Sequence, residues 1–156
     1  MLIIKKRVDM KKFIVLCACV LMGIGSLSAQ SYRNEIGLRL GGSGGLTYRY
    51  HLNEGNAIEG ILSTYWYSGV SVTGLYEWTK PVINNDFYLY YGAGIHLGAF
   101  RDQFALGIDG IVGLEYQIPT VPIALSLDYK PGIHFLPIEH WWVGLYDVAF
   151  SVKFTF

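Results

Sequence analysis

The sequence predicts an all-β protein, a closed antiparallel up-and-down eight-stranded transmembrane β-barrel preceded by a cleavable signal peptide. Three observations support this prediction. The chain of 156 residues is 52% hydrophobic and only 15% charged, whereas a typical soluble domain carries about 25% charged residues. After the N-terminal segment, no apolar run approaches the roughly 20 residues that a membrane helix needs. Apolar and polar residues instead alternate with the period of two that is typical of β-strands.

Residues 1–29 have the features of a secretory signal peptide. A basic segment that ends at residues 10–12 precedes an apolar core at residues 13–23, and small residues at 26–29 form a cleavage site before Gln30. The apolar core is too short to span a membrane as a helix. We therefore expect the mature domain to begin near residue 30.

Two details of this segment stay open. The chain starts at Met1 or at Met10, since either methionine precedes basic residues and the apolar core. Leu27 is large for the third position before a cleavage site, so cleavage after Ser28 is an alternative to cleavage after residue 29.

Removal of residues 1–29 changes what the composition implies. Cys17 and Cys19 both lie in this segment, so the mature part is expected to have no disulfide and no thiolate metal site. A lipoprotein signal that ends at Cys19 is the rival interpretation. The segment holds five basic residues and one acidic residue, and its removal leaves seven basic and eleven acidic residues. This balance argues against nucleic acid as a partner.

Turn signals divide the rest of the chain into eight alternating runs. Strands are predicted near residues 34–41, 45–53, 56–66, 70–80, 86–100, 104–118, 122–135 and 142–156. The connections are predicted at residues 42–44, 53–56, 68–69, 81–85, 101–103, 119–122 and 136–141. An even number of strands places both termini at one end of a closed barrel. Closure matters because lipid offers no hydrogen-bond partner to a free sheet edge.

The polar face of these strands carries charges of both signs. A soluble β-sandwich would expose this face to water, whereas a membrane barrel turns it inward and presents the apolar face to lipid. An eight-stranded lumen is narrow enough to be filled by side chains, and buried charges there must pair. The predicted polar network of the lumen comprises Arg39, Arg49, Glu59, Glu77, His96, Asp109, Glu115, Asp128, Lys130, Asp147 and Lys153.

Bulky aromatic residues lie near the ends of the runs, as in the interfacial belts of membrane barrels. One belt is predicted from Trp66, Phe100, Phe104, Trp141 and Trp142. The other is predicted from Trp78, Phe87, Tyr116 and Phe156.

The chain ends with Phe150, Val152, Phe154 and Phe156 at alternating positions. This pattern resembles the C-terminal signature of bacterial outer-membrane barrels, whose last aromatic residue is read by the barrel-assembly machinery. With the signal peptide and the eight runs, residues 30–156 resemble the small OmpA/OmpX-type family of eight-stranded outer-membrane β-barrels. The resemblance implies an outer-membrane barrel domain over residues 30–156, with both termini in the periplasm.

Two glycine-rich segments formally match catalytic or phosphate-binding patterns. Residues 41–45 fit G-x-S-x-G, but a strand pattern follows where a nucleophile elbow needs a helix, so a hairpin turn is predicted. Residues 92–98 lack the spacing of a phosphate loop. We predict that they form a row of lumen-facing glycines that makes room for aromatic or arginine side chains from opposite strands.

The four histidines show no zinc-ligand spacing. His51 and His96 are expected in the lumen, hydrogen-bonded to carboxylates. A general-base role for His96 is the alternative. Paired catalytic carboxylates, such as Asp109 with Glu115, are disfavoured because basic residues of the same face are available to each.

These observations favour a non-enzymatic outer-membrane barrel with a structural, envelope-maintenance or surface-interaction role, no cofactor and no metal. The expected partners are outer-membrane lipid and lipopolysaccharide, with the chain as a monomer. A first alternative is a lipid-modifying barrel enzyme, a deacylase or acyltransferase that uses His134 or His140 with Ser43 or Ser68; it rests on shared architecture alone. A second is a channel or narrow carrier for a small apolar ligand, although eight strands leave no open aqueous pore.

Overall fold

The computed structural model describes residues 34–65, 69–100, 103–135, 142–145 and 147–156. The predicted signal peptide lies outside the described residues. The described part contains ten β-strands and no helix that is long and apolar enough to cross a membrane. The strands are β1 (Asn34–Gly41), β2 (Gly44–Asn53), β3 (Asn56–Tyr65), β4 (Gly69–Ile83), β5 (Phe87–Phe100), β6 (Gln103–Gln117), β7 (Ile123–Tyr129), β8 (Gly132–His134), β9 (Trp142–Gly144) and β10 (Val148–Thr155).

The strands form a closed antiparallel barrel of eight staves. Strands β1 to β6 pair in sequence order, and β10 pairs with both β1 and β7, which closes the sheet. Strands β7 and β8 lie end to end on one stave because both pair with β6. Strands β9 and β10 lie end to end on the next stave, beside β8 and β7 respectively. The ten segments therefore correspond to the eight strands that the sequence predicts.

The last two staves are interrupted, although the sequence predicts continuous strands at 122–135 and 142–156. Pro131 separates β7 from β8, since proline has no N–H to donate to the ladder. Its carbonyl still accepts a hydrogen bond of 2.8 Å from the Gly110 N–H, and the Lys130 N–H donates to the Asp147 carbonyl at 2.8 Å. The backbone hydrogen bonds thus continue across the break.

The hairpin between β4 and β5 differs from the prediction. Its predicted connection begins at Pro81, but β4 continues to Ile83 and Pro81 lies opposite Tyr88. The register shifts between Pro81 and Ile83, and proline is tolerated in a sheet at such an irregularity. The tight turn lies at residues 84–86, after the end of β4. Asn84 in this turn has a φ of 54°, a conformation that asparagine adopts more readily than most residues.

The barrel is polar inside and apolar outside. In β10, Phe150 and Val152 are 45% and 44% exposed, whereas Ser151 and Lys153, which alternate with them, are each 2% exposed. The same alternation runs along the other long strands, where large aliphatic and aromatic side chains point outward. Soluble proteins show the reverse arrangement, with charged groups outside and apolar groups in the core. The interior of this barrel is therefore the place where its polar chemistry is concentrated.

The barrel-end aromatic residues follow the prediction in part. Trp78, Phe87 and Phe156 are outward and exposed at the end that holds the chain termini, and Phe104 is outward and exposed at the other end. Phe100 differs, because its ring lies over Gly98 on the inner face and packs edge-on against His134. Trp66 and Trp141, and the side chain of Trp142, lie outside what the structure describes.

Candidate functional site: the ion-pair network of the barrel interior

All eleven side chains of the predicted polar network lie in the barrel interior. They come from every stave of the barrel, and the most exposed of them, Asp147, is only 7% exposed. Their common direction follows from the strand period, since residues two apart on one strand share a face. The structure divides them into two clusters, one near the chain termini and one near the opposite end.

The terminal cluster is centred on Arg49. Its guanidinium nitrogens lie 2.6 Å from a Glu115 oxygen, 2.8 Å from Glu77, 3.1 Å from Glu59 and 3.3 Å from Glu35. These four carboxylates come from β6, β4, β3 and β1, so one side chain from β2 contacts groups on most of the barrel circumference. Such an arrangement fixes the staves relative to one another across the lumen.

Lys153 is the second cation of the terminal cluster. Its Nζ lies 3.2 Å from Glu115, 3.5 Å from Glu59 and 3.6 Å from Glu35. The cluster thus holds two permanent cations and four carboxylates, with His51 at its edge, 2.6 Å from Glu35. Several of these carboxylates are shared by both cations, which reduces the cost of burying two positive charges together.

The distal cluster contains Arg39, Lys130 and three aspartates. Arg39 pairs with Asp128 and lies 3.3 Å from an Asp147 oxygen. Lys130 lies 3.2 Å from the other Asp147 oxygen and 3.3 Å from Asp109. The alternation of cations and carboxylates makes a continuous chain from β1 to β6.

His96 extends the distal cluster. Its Nδ1 lies 2.8 Å from Asp109, and its Nε2 lies 2.9 Å from Nδ1 of His134. The Thr73 hydroxyl donates to the second Asp109 oxygen at 3.3 Å. The predicted contacts of lumen histidines with carboxylates are thus present for His96 with Asp109 and for His51 with Glu35.

Tyr90 joins the two clusters. The Arg49 guanidinium carbon lies 4.3 Å from the centroid of the Tyr90 ring, a cation–π geometry. The Tyr90 hydroxyl donates to Asp128 at 3.2 Å. The neighbouring strand β6 leaves room for the ring at Gly113, where an added Cβ would lie 2.4 Å from Tyr90 Cζ.

Several interior residues are absent from the predicted network. Glu35 and Tyr90 are buried and belong to the network, and their parity on β1 and β5 matches that of Arg39 and His96. His134 enters the sequence-based hypotheses only through the catalytic alternative. The available signal was the strand parity, which applies to acidic, aromatic and imidazole side chains alike.

The interior also holds an apolar patch that the polar-lumen prediction did not include. It lies between the two clusters and consists of Ile61, Leu75, Tyr90 and Ile111. Ile61 shares the parity of Glu59, so the pattern of the strand already placed it inside.

Glycines do make room for large side chains in the lumen, but most of them are not those of the predicted row on β5. The glycines that accommodate aromatic side chains of an adjacent strand are on β6. Gly113 faces Tyr90, and Gly107 faces His96, whose Cε1 would lie 2.4 Å from an added Cβ. On β5, Gly94 meets backbone of the neighbouring strand, and Gly98 lies under the ring of Phe100.

The serine of the G-x-S-x-G segment does not face a histidine in the described contacts. Ser43 is fully buried between β1 and β2, and its hydroxyl donates to the two Asp147 oxygens at 3.1 and 3.2 Å. The catalytic alternative pairs Ser43 or Ser68 with His134 or His140, and among the described contacts His134 meets His96. Ser68 and His140 lie outside the described residues.

The C-terminal residues lie on the outer face of β10 and its end. Phe150, Val152 and Phe156 are exposed and Phe154 is half-buried. The rings of Phe154 and Phe156 stack at 6.1 Å. The predicted signature is therefore an exposed apolar ridge rather than part of the core.

The two clusters consist of ion pairs between side chains of different strands. These pairs can hold the strands of the barrel together. Among the described residues, no group of three or more His, Cys, Asp or Glu side chains is arranged to hold a metal ion. Removal of one partner from such a pair is strongly destabilising, at about 3–5 kcal/mol, because it leaves a buried charge uncompensated. The network therefore links the integrity of the lumen to specific side chains on every stave.

Comparison with known proteins adds no assignment, since no family model matches the sequence and no curated protein matches it.

Proposed function

We propose that the chain is a non-enzymatic outer-membrane β-barrel whose role is structural, in envelope maintenance or surface interaction, and whose lumen is filled by side chains. The observation that carries the proposal is the sidedness of the barrel. The four cations and seven carboxylates that are buried among the described residues point inward, while Leu38, Ile95 and Phe104 are 60%, 58% and 66% exposed. A belt of this size exposed to water would be an aggregation site, whereas hydrocarbon is a suitable solvent for it.

The distribution of outer aromatic residues supports a lipid environment. Tyr76, Trp78 and Tyr91 form an aromatic group near the terminal end, in which Tyr76 lies edge-on to Trp78 at 5.1 Å between ring centroids and Trp78 stacks on Tyr91 at 5.8 Å. Phe87 and Tyr116 form a second pair near that end, at 4.6 Å. Tyrosine and tryptophan favour the membrane–water interface, where the ring is partly apolar and its polar atom reaches water.

The filled lumen supports a structural role over transport. Arg49 and Tyr90 are almost fully buried in the lumen, and Arg39 pairs with Asp128. An eight-stranded barrel has room for side chains and little else. The apolar interior residues contact one another, which gives no support to a carrier for an apolar ligand.

The same features define the proposed partners. The apolar belt suits outer-membrane lipid and lipopolysaccharide, and the terminal Phe150-to-Phe156 ridge suits recognition by the barrel-assembly machinery. A closed sheet has no free edge that would recruit another strand, which supports a monomer. Membership of the small OmpA/OmpX-type family remains part of this proposal.

Cell fractionation of a diderm host that expresses the full chain tests the proposal. We expect the protein in the outer-membrane fraction, and a faster gel mobility before boiling than after it, as for a folded barrel that resists detergent. The Phe156→Ala variant should insert less efficiently, whereas Phe104→Ala, an exposed aromatic residue elsewhere on the belt, should insert normally. A protein that stays in the cytosol with no heat-dependent mobility shift would contradict the proposal.

A further inference from the structure

The pairing of β1 with β10 closes the barrel, and we call this pairing the seam. Its two strands are far apart in the sequence, so no hairpin turn fixes their register as it does between consecutive strands. In the structure Leu38 lies opposite Val152, and the other seam pairs follow from this register. A slip of one residue would turn every side chain of β10 to the other face. The nearest competing register is therefore a slip of two residues, which keeps both faces and changes the stagger of the barrel.

On the inner face of the seam, each buried cation lies opposite a small residue. Lys153 faces Gly37, and Arg39 faces Ser151. Lys153 and Arg39 are 2% and 1% exposed, so both side chains lie inside the lumen. A Cβ on Gly37 would lie 2.5 Å from the Val152 carbonyl oxygen and 2.7 Å from Lys153 Cγ. The observed register thus gives each long side chain the space that a small neighbour leaves.

Contacts across the lumen fix the position of Lys153 along the barrel axis. Its Nζ lies 3.2 Å from Glu115, 3.5 Å from Glu59 and 3.6 Å from Glu35. These carboxylates are on β6, β3 and β1, so the lysine is held from several sides of the lumen. A slip of two residues moves a strand by about 7 Å. This distance is comparable with the length of the lysine side chain, so the three contacts cannot all be kept after a slip.

A slip in one direction brings two buried cations together. It places Lys153 opposite Arg39, and like charges directly opposite each other on a sheet are destabilising. Both side chains are also long, and the space that Ser151 now leaves is sufficient for only one of them. This register is therefore disfavoured by charge and by size.

A slip in the other direction removes packing. It places Lys153 opposite Glu35, which is a favourable pair of charges. It also places Ser151 opposite Gly37, and two small residues there leave a void beside the terminal cluster, which costs stability. This register is therefore disfavoured by the lost volume and by the lost contacts of the lysine with the far side of the lumen.

We propose that Lys153 and Arg39 select the register of the seam, and with it the stagger of the barrel, when the first and last strands meet. The position of the lysine on β10 then decides which residues pair across the seam. The selection requires both the small residue opposite each cation and the carboxylates that hold Lys153. It concerns the closure of the barrel and does not depend on the proposed membrane location.

Disulfide trapping on the outer face of the seam tests this proposal. The chain has two cysteines, Cys17 and Cys19, which are both replaced by alanine. Val152→Cys is then combined, in three separate chains, with Leu38→Cys, Leu40→Cys or Ile36→Cys. Leu38→Cys reports the observed register, and the other two report the two slips, because diagonal neighbours are about 7–8 Å apart and a disulfide does not bridge more than about 7 Å. The full chain is refolded in detergent micelles with an oxidant present, and mass spectrometry measures the yield of each crosslink.

Moving the lysine along β10 should move the register. Exchange of residues 151 and 153, Ser151→Lys with Lys153→Ser, brings lysine opposite Gly37 only after a slip, so the 36–152 crosslink should become dominant. Exchange of residues 153 and 155, Lys153→Thr with Thr155→Lys, requires the opposite slip and should make the 40–152 crosslink dominant. The matched control exchanges residues 151 and 155, Ser151→Thr with Thr155→Ser. It leaves Lys153 in place, so the 38–152 crosslink should stay dominant.

A dominant 38–152 crosslink in either lysine exchange overturns the proposal, and so does a changed register in the control. The crosslinks form as the strands meet during refolding, so the measurement does not require a stable variant. Lys153→Met gives a second measurement, since it keeps a long side chain opposite Gly37 and removes the charge. Both slipped crosslinks should rise above their wild-type yields in this variant. Unchanged yields would also overturn the proposal.

Discussion

The guanidinium carbon of Arg49 lies 4.3 Å from the ring centroid of Tyr90, deep inside the barrel. The tyrosine hydroxyl then reaches Asp128 at 3.2 Å, and Asp128 pairs with Arg39. The Tyr90 side chain therefore connects the terminal ion cluster, which contains Arg49, with the distal ion cluster, which contains Asp128 and Arg39. This connection makes the interior a single network from the terminal end of the barrel to the distal end, with consequences for its response to substitution.

Tyr90→Phe and Tyr90→Leu separate the two contacts of this connection. Loss of the hydroxyl in Tyr90→Phe should lower the free energy of unfolding by about 1 kcal/mol. Tyr90→Leu also removes the cation–π contact and should cost about 1–2 kcal/mol more. Urea unfolding in micelles measures both, with the outward Tyr50→Phe expected to change stability by less than about 0.5 kcal/mol. Equal costs for the two Tyr90 variants would show that the cation–π contacts of the ring, with Arg49 at 4.3 Å and Lys153 at 5.3 Å, contribute nothing.

Arg49→Met leaves four buried carboxylates with Lys153 as their nearest permanent cation. We expect a loss of about 3–5 kcal/mol or failure to refold, because the uncompensated charges remain in the lumen. The exposed cation at the barrel end, Lys80→Met, should cost less than about 0.5 kcal/mol. Refolding yield and urea midpoint measure the difference.

A second substitution separates charge from packing in this cluster. Glu115→Gln added to Arg49→Met removes one of the unpaired charges and should recover part of the lost stability. A double variant as unstable as Arg49→Met would indicate that lost packing, rather than unpaired charge, dominates the effect.

The outer belt gives a prediction that depends on the proposed membrane location. Leu38 is 60% exposed and lies at the middle of β1, so Leu38→Arg should cost about 2–4 kcal/mol in lipid vesicles. Thr64→Arg, near the end of β3, should cost about 0–1 kcal/mol because its charge can reach the interface. Unfolding in vesicles of matched acyl-chain thickness measures both. Equal small costs would contradict a membrane-spanning belt.

Strand parity was sufficient to predict much of this architecture. Once Lys153 is placed inward, Ser151 follows on the same face, and a period of two cannot accommodate a slip of one residue. The break at Pro131 was not predictable in the same way, because proline is compatible with a strand end, an edge or a bulge. Only the register of β6 with both β7 and β8 shows which of these applies.

The sequence predicts which side chains lie in the lumen better than it predicts which of them contact one another. Parity places Glu77 and Glu115 inside but does not reveal that both contact Arg49, since these contacts cross the barrel between strands far apart in sequence. The tilt and stagger of the strands decide which side chains meet. For the same reason Tyr90 could be placed inside, yet its position between Arg49 and Asp128 required the three-dimensional structure.

Gly113 and Gly74 provide a matched pair of glycines on opposite faces of the barrel. A Cβ at Gly113 would lie 2.4 Å from Tyr90 Cζ, whereas a Cβ at Gly74 meets nothing within 4 Å. Gly113→Ala should therefore destabilise by about 1–3 kcal/mol through overpacking, and Gly74→Ala should be neutral or stabilise by up to about 1 kcal/mol by restricting the unfolded chain. Combination of Gly113→Ala with Tyr90→Leu should relieve the contact with the ring but not the 2.8 Å approach to Asp128 Cβ, so the double-mutant cycle should show a favourable coupling. Strictly additive costs would mean that the Tyr90 ring does not occupy the space above Gly113, and the link between the two ion clusters would have to be sought elsewhere.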